Sequence, residues 1–229
     1  MSFDPADAPA EYPPELSRLP PGRHGLPRDF VVHNQRERLI AGLAEAVAEK
    51  GYGGTTIADI TRHAAVSRRT FYEHFDGKDE CFVAAFDTVS TQLRDRVDES
   101  FKAEDDWAHA ARAGISAMLG FLAGEPNLAR LAMVEALVAG PVVVERYDAA
   151  VQTFIPYFAA GREGRPKKVL KRLSDSTEEA LVGGMVSLVS RRIVAGQTDE
   201  LESLLPDLTE FVLAPYVGND EAAKIAREN

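Results

Sequence analysis

The segment from Thr56 to Lys78, T-I-A-D-I-T-R-H-A-A-V-S-R-R-T-F-Y-E-H-F-D-G-K, constrains this chain more than any other. It reads as two short helices joined by a tight turn. Thr56 is a good N-cap, and Asp59 stands three residues later, the spacing of a capping box. Ile57, Ile60 and Ala64 then share one helical face. Ala65 and Val66 end that helix, and Ser67 can cap a second. The second helix is too short to stand alone. It sets Phe71 and Phe75 on one side and Arg68, Arg69, Tyr72 and Lys78 elsewhere. Two short apolar-faced helices with a tight link are the outline of a helix-turn-helix, whose second helix enters the DNA major groove.

A basic patch of Arg62, Arg68, Arg69 and Lys78 falls within this one segment. The whole chain carries a formal net charge of −10. That balance argues against coating nucleic acid with the entire surface, and for binding confined to one small face. With 229 residues the chain suits a small head and a larger body, and 45% hydrophobic residues suffice for a core. A single cysteine, Cys81, excludes an intramolecular disulfide framework and suits a reducing cytosol. The N-terminus lacks the basic start and apolar core of a signal peptide, and no run has the length of a membrane span. A cytoplasmic protein is the expectation.

Residues 1–28 hold seven prolines and predict an extended arm, with Arg18, Arg23, His24 and Arg28 along it. Asn34 to Lys50 has helical periodicity and closes at Gly51. After Asp76-Gly77, a long helix runs from Lys78 to about Lys102, and another from Asp105 to Gly124. Asn127 to Val138 is apolar on most sides and reads as buried. Pro141 opens a helix to about Ala160. A basic run follows: Arg162, Arg165, Lys167, Lys168, Lys171 and Arg172. It reads as a solvated loop and helix start. Ser174 or Ser176 caps a helix to about Ala195. The last helical material is Asp199 to Leu205 and Pro206 to about Pro215, with a frayed tail from Tyr216. No strand alternation occurs, so the fold class is all-α.

The run T-T-I-A-D-I-T-R-H-A-A-V-S-R-R-T-F-Y-E-H-F-x-x-K-D-E resembles the DNA-binding signature of the TetR family of bacterial transcriptional regulators. The resemblance implies a three-helix helix-turn-helix head followed by a helical ligand-binding and dimerisation body. It divides the chain into an arm at 1–31, a head at 32–92 with its helix-turn-helix at about 56–76, a body at 93–217 and a tail at 218–229. Arg69 stands where many relatives place glycine, so the base preference of better-known members does not transfer.

The expected DNA contacts are Thr56, Ser67, Arg68, Arg69, Thr70, Tyr72, His74 and Lys78. Arg68 and Arg69 follow the Ser67 cap, at the end of the helix that reaches base edges, and arginine pairs bidentately with guanine. Thr70 suits a thymine methyl or a phosphate. Tyr72 and His74 carry donors suited to phosphates, and the resemblance assigns them there. Lys78 and Thr56 each open a helix, where free amides favour an anion.

Trp107, Met118, Phe121, Met133, Tyr147, Phe154, Phe158 and Met185 are large body residues. Singly they read as core; together they can line an apolar effector pocket between helices. The resemblance implies dimerisation through the last two long helices, and so through Leu181, Gly184, Met185, Leu188, Leu208, Phe211 and Val212. No histidine spacing suits a metal, and no cofactor or catalytic group is expected.

These features predict a homodimeric repressor on a near-palindromic operator of double-stranded DNA, released by a small apolar effector. A ligand-independent regulator, an activator, and a helical carrier or enzyme with a degenerate head are the alternatives.

Overall fold

The computed structural model describes residues 28–228. Among these every regular element is helical. The arm expected at residues 1–31 lies outside the described residues except for 28–31, which are already the first turn of a helix.

The head is built from α1 (Arg28–Gly54), α2 (Ile57–Ala64) and α3 (Arg68–His74). α1 buries Leu39, Ile40, Leu43 and Val47. It crosses α2 at Gly42, where a Cβ would stand 2.6 Å from the Ala64 nitrogen and 2.8 Å from the Ile60 oxygen. Only glycine lets the two backbones approach so closely. Gly51 then takes φ 69°, and the chain kinks there toward α2. Ile60, Phe71 and Phe75 close the small core beneath.

α4 (Lys78–Lys102) joins head to body. Its first turns pack Cys81, Phe82 and Phe86 into the core, and farther along it buries Leu93 and Val97. α5 (Trp107–Gly124) packs against it, capped by Asp106, whose side chain accepts from the Ala108 and His109 amides. α6 (Pro126–Met133) follows, then a 3-10 turn at Glu135–Val138. Here the sequence expectation of general burial fails: Leu137 and Val138 are 50% and 68% exposed. The turn is too short to bury more than one face.

The helix expected from Pro141 to Ala160 is two: α7 (Pro141–Gln152) and α8 (Ile155–Ala159). Pro156 sits in the first turn of α8, where its missing amide proton breaks nothing. A short α9 (Lys167–Leu170) leads to α10 (Thr177–Val194). Ser176 precedes α10 but makes no side-chain cap. A 3-10 turn at Thr198–Leu204 leads to α11 (Leu205–Val217), and Gly218 turns the chain into α12 (Asn219–Ala226).

The frayed tail expected from Tyr216 is therefore corrected. Tyr216 is 2% exposed and donates its hydroxyl to Glu178 at 2.6 Å. α12 buries Ala222, Ile225 and Ala226. These three lie at i, i+3 and i+4, a spacing that gives even an eight-residue helix one apolar face.

Candidate nucleic-acid interface and ligand cavity

Both helices of the turn are fixed by local hydrogen bonds. Thr56 Oγ1 accepts from the Asp59 amide at 3.3 Å, and Asp59 Oδ2 accepts from the Thr56 amide at 3.1 Å, completing the capping box. Lys50 donates to Asp59 at 2.6 Å. That bond first, with those from Thr56, holds the Asp59 carboxyl far below the usual carboxylate range. Ala65 takes the left-handed conformation at the end of α2. Arg38 donates to the carbonyls of Ala64 and Ala65 at 2.6 and 2.8 Å, satisfying the helix end. Ser67 caps α3, accepting from the Thr70 amide at 3.0 Å.

The eight residues expected at DNA fall into two groups. Ser67, Arg68, Arg69 and Tyr72 are exposed, and Thr70 is half-buried. Arg68 makes no ion pair among the described residues. Arg69 is held by Glu73 at 3.0 Å, one turn on. Tyr72 leans edge-on against Phe71 and is 57% exposed.

The other three bond to neighbours in the head, Thr56 while exposed and His74 and Lys78 while half-buried. The Thr56 hydroxyl donates to Asp59 at 2.7 Å. His74 meets Gln35 of α1 at 3.2 Å, and burial lowers its pKa, favouring the neutral ring. Lys78 donates to the carbonyls of Tyr52 and Thr55 at 2.8 and 3.1 Å. Its ammonium also lies 4.1 Å from the Tyr52 ring centroid. Its charge thus caps the α1–α2 junction from the start of α4.

The body encloses a cavity of about 90 Å³ among α4, α5, α6, α7, α8 and α10. Met118, Met133, Tyr147, Phe154, Phe158 and Met185 line it. Trp107 and Phe121 do not. Trp107 packs on Gly161, where a Cβ would stand 2.3 Å from its ring, and on Tyr216, and it donates to the Tyr157 carbonyl at 2.8 Å. Phe121 lies under Arg96. Both are large and apolar, which sequence cannot separate from cavity lining. Among the described residues no charged side chain lines the cavity, and Ser90, Tyr147 and Tyr157 supply its only hydroxyls. Burial raises the Tyr147 pKa, so it remains a neutral phenol.

The residues expected at a dimer interface also divide. Leu181, Met185, Leu208 and Val212 are buried in the chain's own core. Their stripe at helical spacing serves the fold. Phe211 is 47% exposed and stands against Gly184, whose Cβ position lies 3.0 Å from its ring. Leu188 is half-buried on α10.

Cys81 is fully buried, and desolvation pushes its pKa up to about 12, the state of an inert structural thiol. No helix among the described residues is long and apolar enough to cross a membrane.

A family model described as bacterial regulatory proteins, tetR family, matches residues 39–85, the span from mid-α1 through the helix-turn-helix into α4. The head of the chain is thus similar to the TetR DNA-binding domain over this span. Among curated relatives is the fatty acid metabolism regulator protein of Bacillus subtilis, 28% identical over 43% of this chain and 50% of that protein. The transcriptional activator FasR of Mycolicibacterium smegmatis is 25% identical over 56% of each chain. The chain thus spans about half the length of the curated relatives it matches. These proteins are regulators, not enzymes.

The fold matches over a greater length. FadR of Bacillus halodurans superposes with a TM-score of 0.69 at 14% identity, covering 78% of this chain and 94% of that one. FadR of Bacillus subtilis, solved in complex with stearoyl-CoA, gives 0.63 at 19% identity, covering 80% and 98%.

Proposed function

We propose that this protein is a homodimeric, cytoplasmic transcriptional repressor of the TetR family, released from its operator by an effector bearing a long acyl chain. The observation that carries the reading is the body cavity: apolar, without a charged side chain among the described residues, and joined to a helix-turn-helix by α4, which lines the one and packs into the other. A carboxylate buried there would lack a partner, at a cost of several kcal/mol per ion. An effector would therefore bury its hydrocarbon and keep any charge outside. A FadR of the same fold holds stearoyl-CoA, which has this character.

A long acyl chain would lie between these helices along a wall of apolar side chains. The wall would adjust to the shape of the chain it holds. Met118, Met133 and Met185 all line the cavity, and the thioether side chain adapts to new shapes at little cost. α7 buries only Val143 completely, so it is the least anchored long wall. Outward movement there would lengthen the cavity without disturbing α4 or α5.

On DNA, the exposed face of α3 presents Arg68, Arg69, Thr70 and Tyr72, with Ser67 at its start. Arg68 and Arg69 would read bases, and Tyr72 would meet phosphate. Thr56, His74 and Lys78 would act by fixing the head, with phosphate contact secondary. Two heads would meet half-sites spaced by a helical turn or a multiple of it. The dimer would form on the outer faces of α10 and α11 around Gly184, Leu188 and Phe211. Arm, head, body and C-terminal segment at 1–31, 32–92, 93–217 and 218–229 would be the working units, the last a docked helix.

The test is mobility shift of the full-length protein on DNA flanking its own gene, with and without stearoyl-CoA. A specific shift that the thioester abolishes supports the reading. A shift strengthened by the thioester would favour an activator, as the FasR relative is named. No specific shift at any salt concentration would remove the DNA-binding reading.

A further inference from the structure

Tyr52 sits just past the kink that ends the straight part of α1, and two separate elements hold it. Its amide donates to Glu135 Oε2 at 2.8 Å, across 83 residues of sequence. Its carbonyl accepts from Lys78 at 2.8 Å, and its hydroxyl donates to Asp79; both residues begin α4. Its ring meets Phe82 edge-on at 4.9 Å between centroids.

Each holder leads to the cavity. Phe86, one turn beyond Phe82, lines it. Glu135 lies two residues past Met133 and three past Ala132, which also line it. The Met133 carbonyl accepts from Ser190 at 3.2 Å, fixing that strip to α10. Toward DNA, Thr55 donates to the Gly51 carbonyl at 2.8 Å and accepts from Lys78 at 3.1 Å, and Thr56 begins the α2 cap.

The Glu135 side chain is only 8% exposed and pairs with Arg130 at 3.3 Å. A buried carboxylate that loses a partner pays its full desolvation penalty. The contact with Tyr52 therefore resists gradual lengthening. Either the α6 strip and the α1–α2 junction move together, or the bond breaks.

We infer that Tyr52 is the joint through which the cavity sets the position of the helix-turn-helix, with Glu135 and the start of α4 as two levers on it. The inference rests on the regulator reading for its purpose but not for its test. Repacking around a ligand displaces the Met133 strip relative to α4, and the difference appears as a shift at residues 51–56. Glu135 does not line the cavity and lies away from the exposed face of α3, so it is a positioning residue.

The test is hydrogen–deuterium exchange over residues 51–56 in the full-length chain. Ala111→Leu fills the cavity from α5 and serves as a built-in occupant. In the wild-type background it is expected to change exchange at 51–56 several-fold. With Glu135→Ala also present the change should disappear. With Tyr52→Phe, which removes only the bond to Asp79, it should shrink but persist.

An unchanged response in both variants, or no response in the wild-type background, would overturn the joint. Should Glu135→Ala fail to fold, Tyr52→Phe decides alone. On DNA flanking the gene, stearoyl-CoA should alter wild-type affinity by roughly 5- to 150-fold and Glu135→Ala affinity by no more than about twofold. If none of these proteins binds that DNA, the regulator reading fails while the exchange result still judges the joint.

Discussion

Head and body solve opposite problems. In the head the polar groups that shape the turn are tied down by hydrogen bonds: Thr56 and Asp59 to each other, Ser67 to Thr70, Arg38 to the end of α2. In the body the cavity wall is apolar, and its three methionines lock no particular shape. A reading surface must be preorganised to tell sequences apart. A hydrocarbon site must yield to admit its ligand. The contrast predicts that head substitutions are costly and body-wall substitutions cheap.

The largest expected effect tests that contrast directly. Phe71 is fully buried beneath α3. Phe71→Ala should cost about 3–5 kcal/mol and abolish cooperative unfolding of the head in a urea titration. Met185→Leu, on the cavity wall, should cost less than about 1.5 kcal/mol as a near volume-conserving exchange. Equal losses would break the comparison, since the body would then be packed as tightly as the head.

Next comes Arg68→Ala. It should remove about 1–3 kcal/mol of discrimination between specific and scrambled DNA, measured by anisotropy at fixed salt. The response of Trp107 fluorescence to stearoyl-CoA should not change, because Trp107 is the only tryptophan and lies in the body. A changed ligand response would show that Arg68 acts through the fold and not at the DNA.

Ser67→Ala is smaller. Loss of this cap should cost about 1 kcal/mol, seen as a lower urea midpoint with an unchanged slope. Its effect on DNA affinity should be general across sequences, since it loosens α3 without removing a base contact.

The same contrast explains what sequence could show. Capping box, turn and recognition helix were legible because each rests on bonds within four residues. The Arg38 bonds to Ala64 and Ala65 were not, since they span 26 and 27 residues and any arginine on α1 looks alike. Lys78 was legible as a cation at a helix start; its engagement with Tyr52 and Thr55 was not. Six of the eight aromatic and methionine residues proposed for a pocket do line one. Trp107 and Phe121 were indistinguishable from them, because a cavity is what packing leaves over. α12 escaped notice because a polar eight-residue helix gains its stability from docking and little from propensity.

The smallest effect concerns how α12 stays docked. His109 Nε2 lies 2.9 Å from Glu228 Oε2, and its Nδ1 meets Asp106, the cap of α5. Glu228 first, then Asp106, raises the His109 pKa. A group whose folded pKa is raised contributes stability fully present below its unfolded value, near 6.5, and lost as pH rises through the folded value. The chain should therefore be more stable at pH 6 than at a pH above the folded His109 pKa. With the His109 side chain 41% exposed, solvent screening limits the difference to under about 1 kcal/mol. His109→Gln should flatten that part of the pH profile of the thermal midpoint. Exchange at residues 219–228 should quicken with pH in the wild type beyond the intrinsic chemical rate, and not in the variant. A variant with the wild-type profile would place the titration elsewhere and leave α12 held by Ile225, its apolar neighbours and the bond from Arg112 to the Glu228 carbonyl.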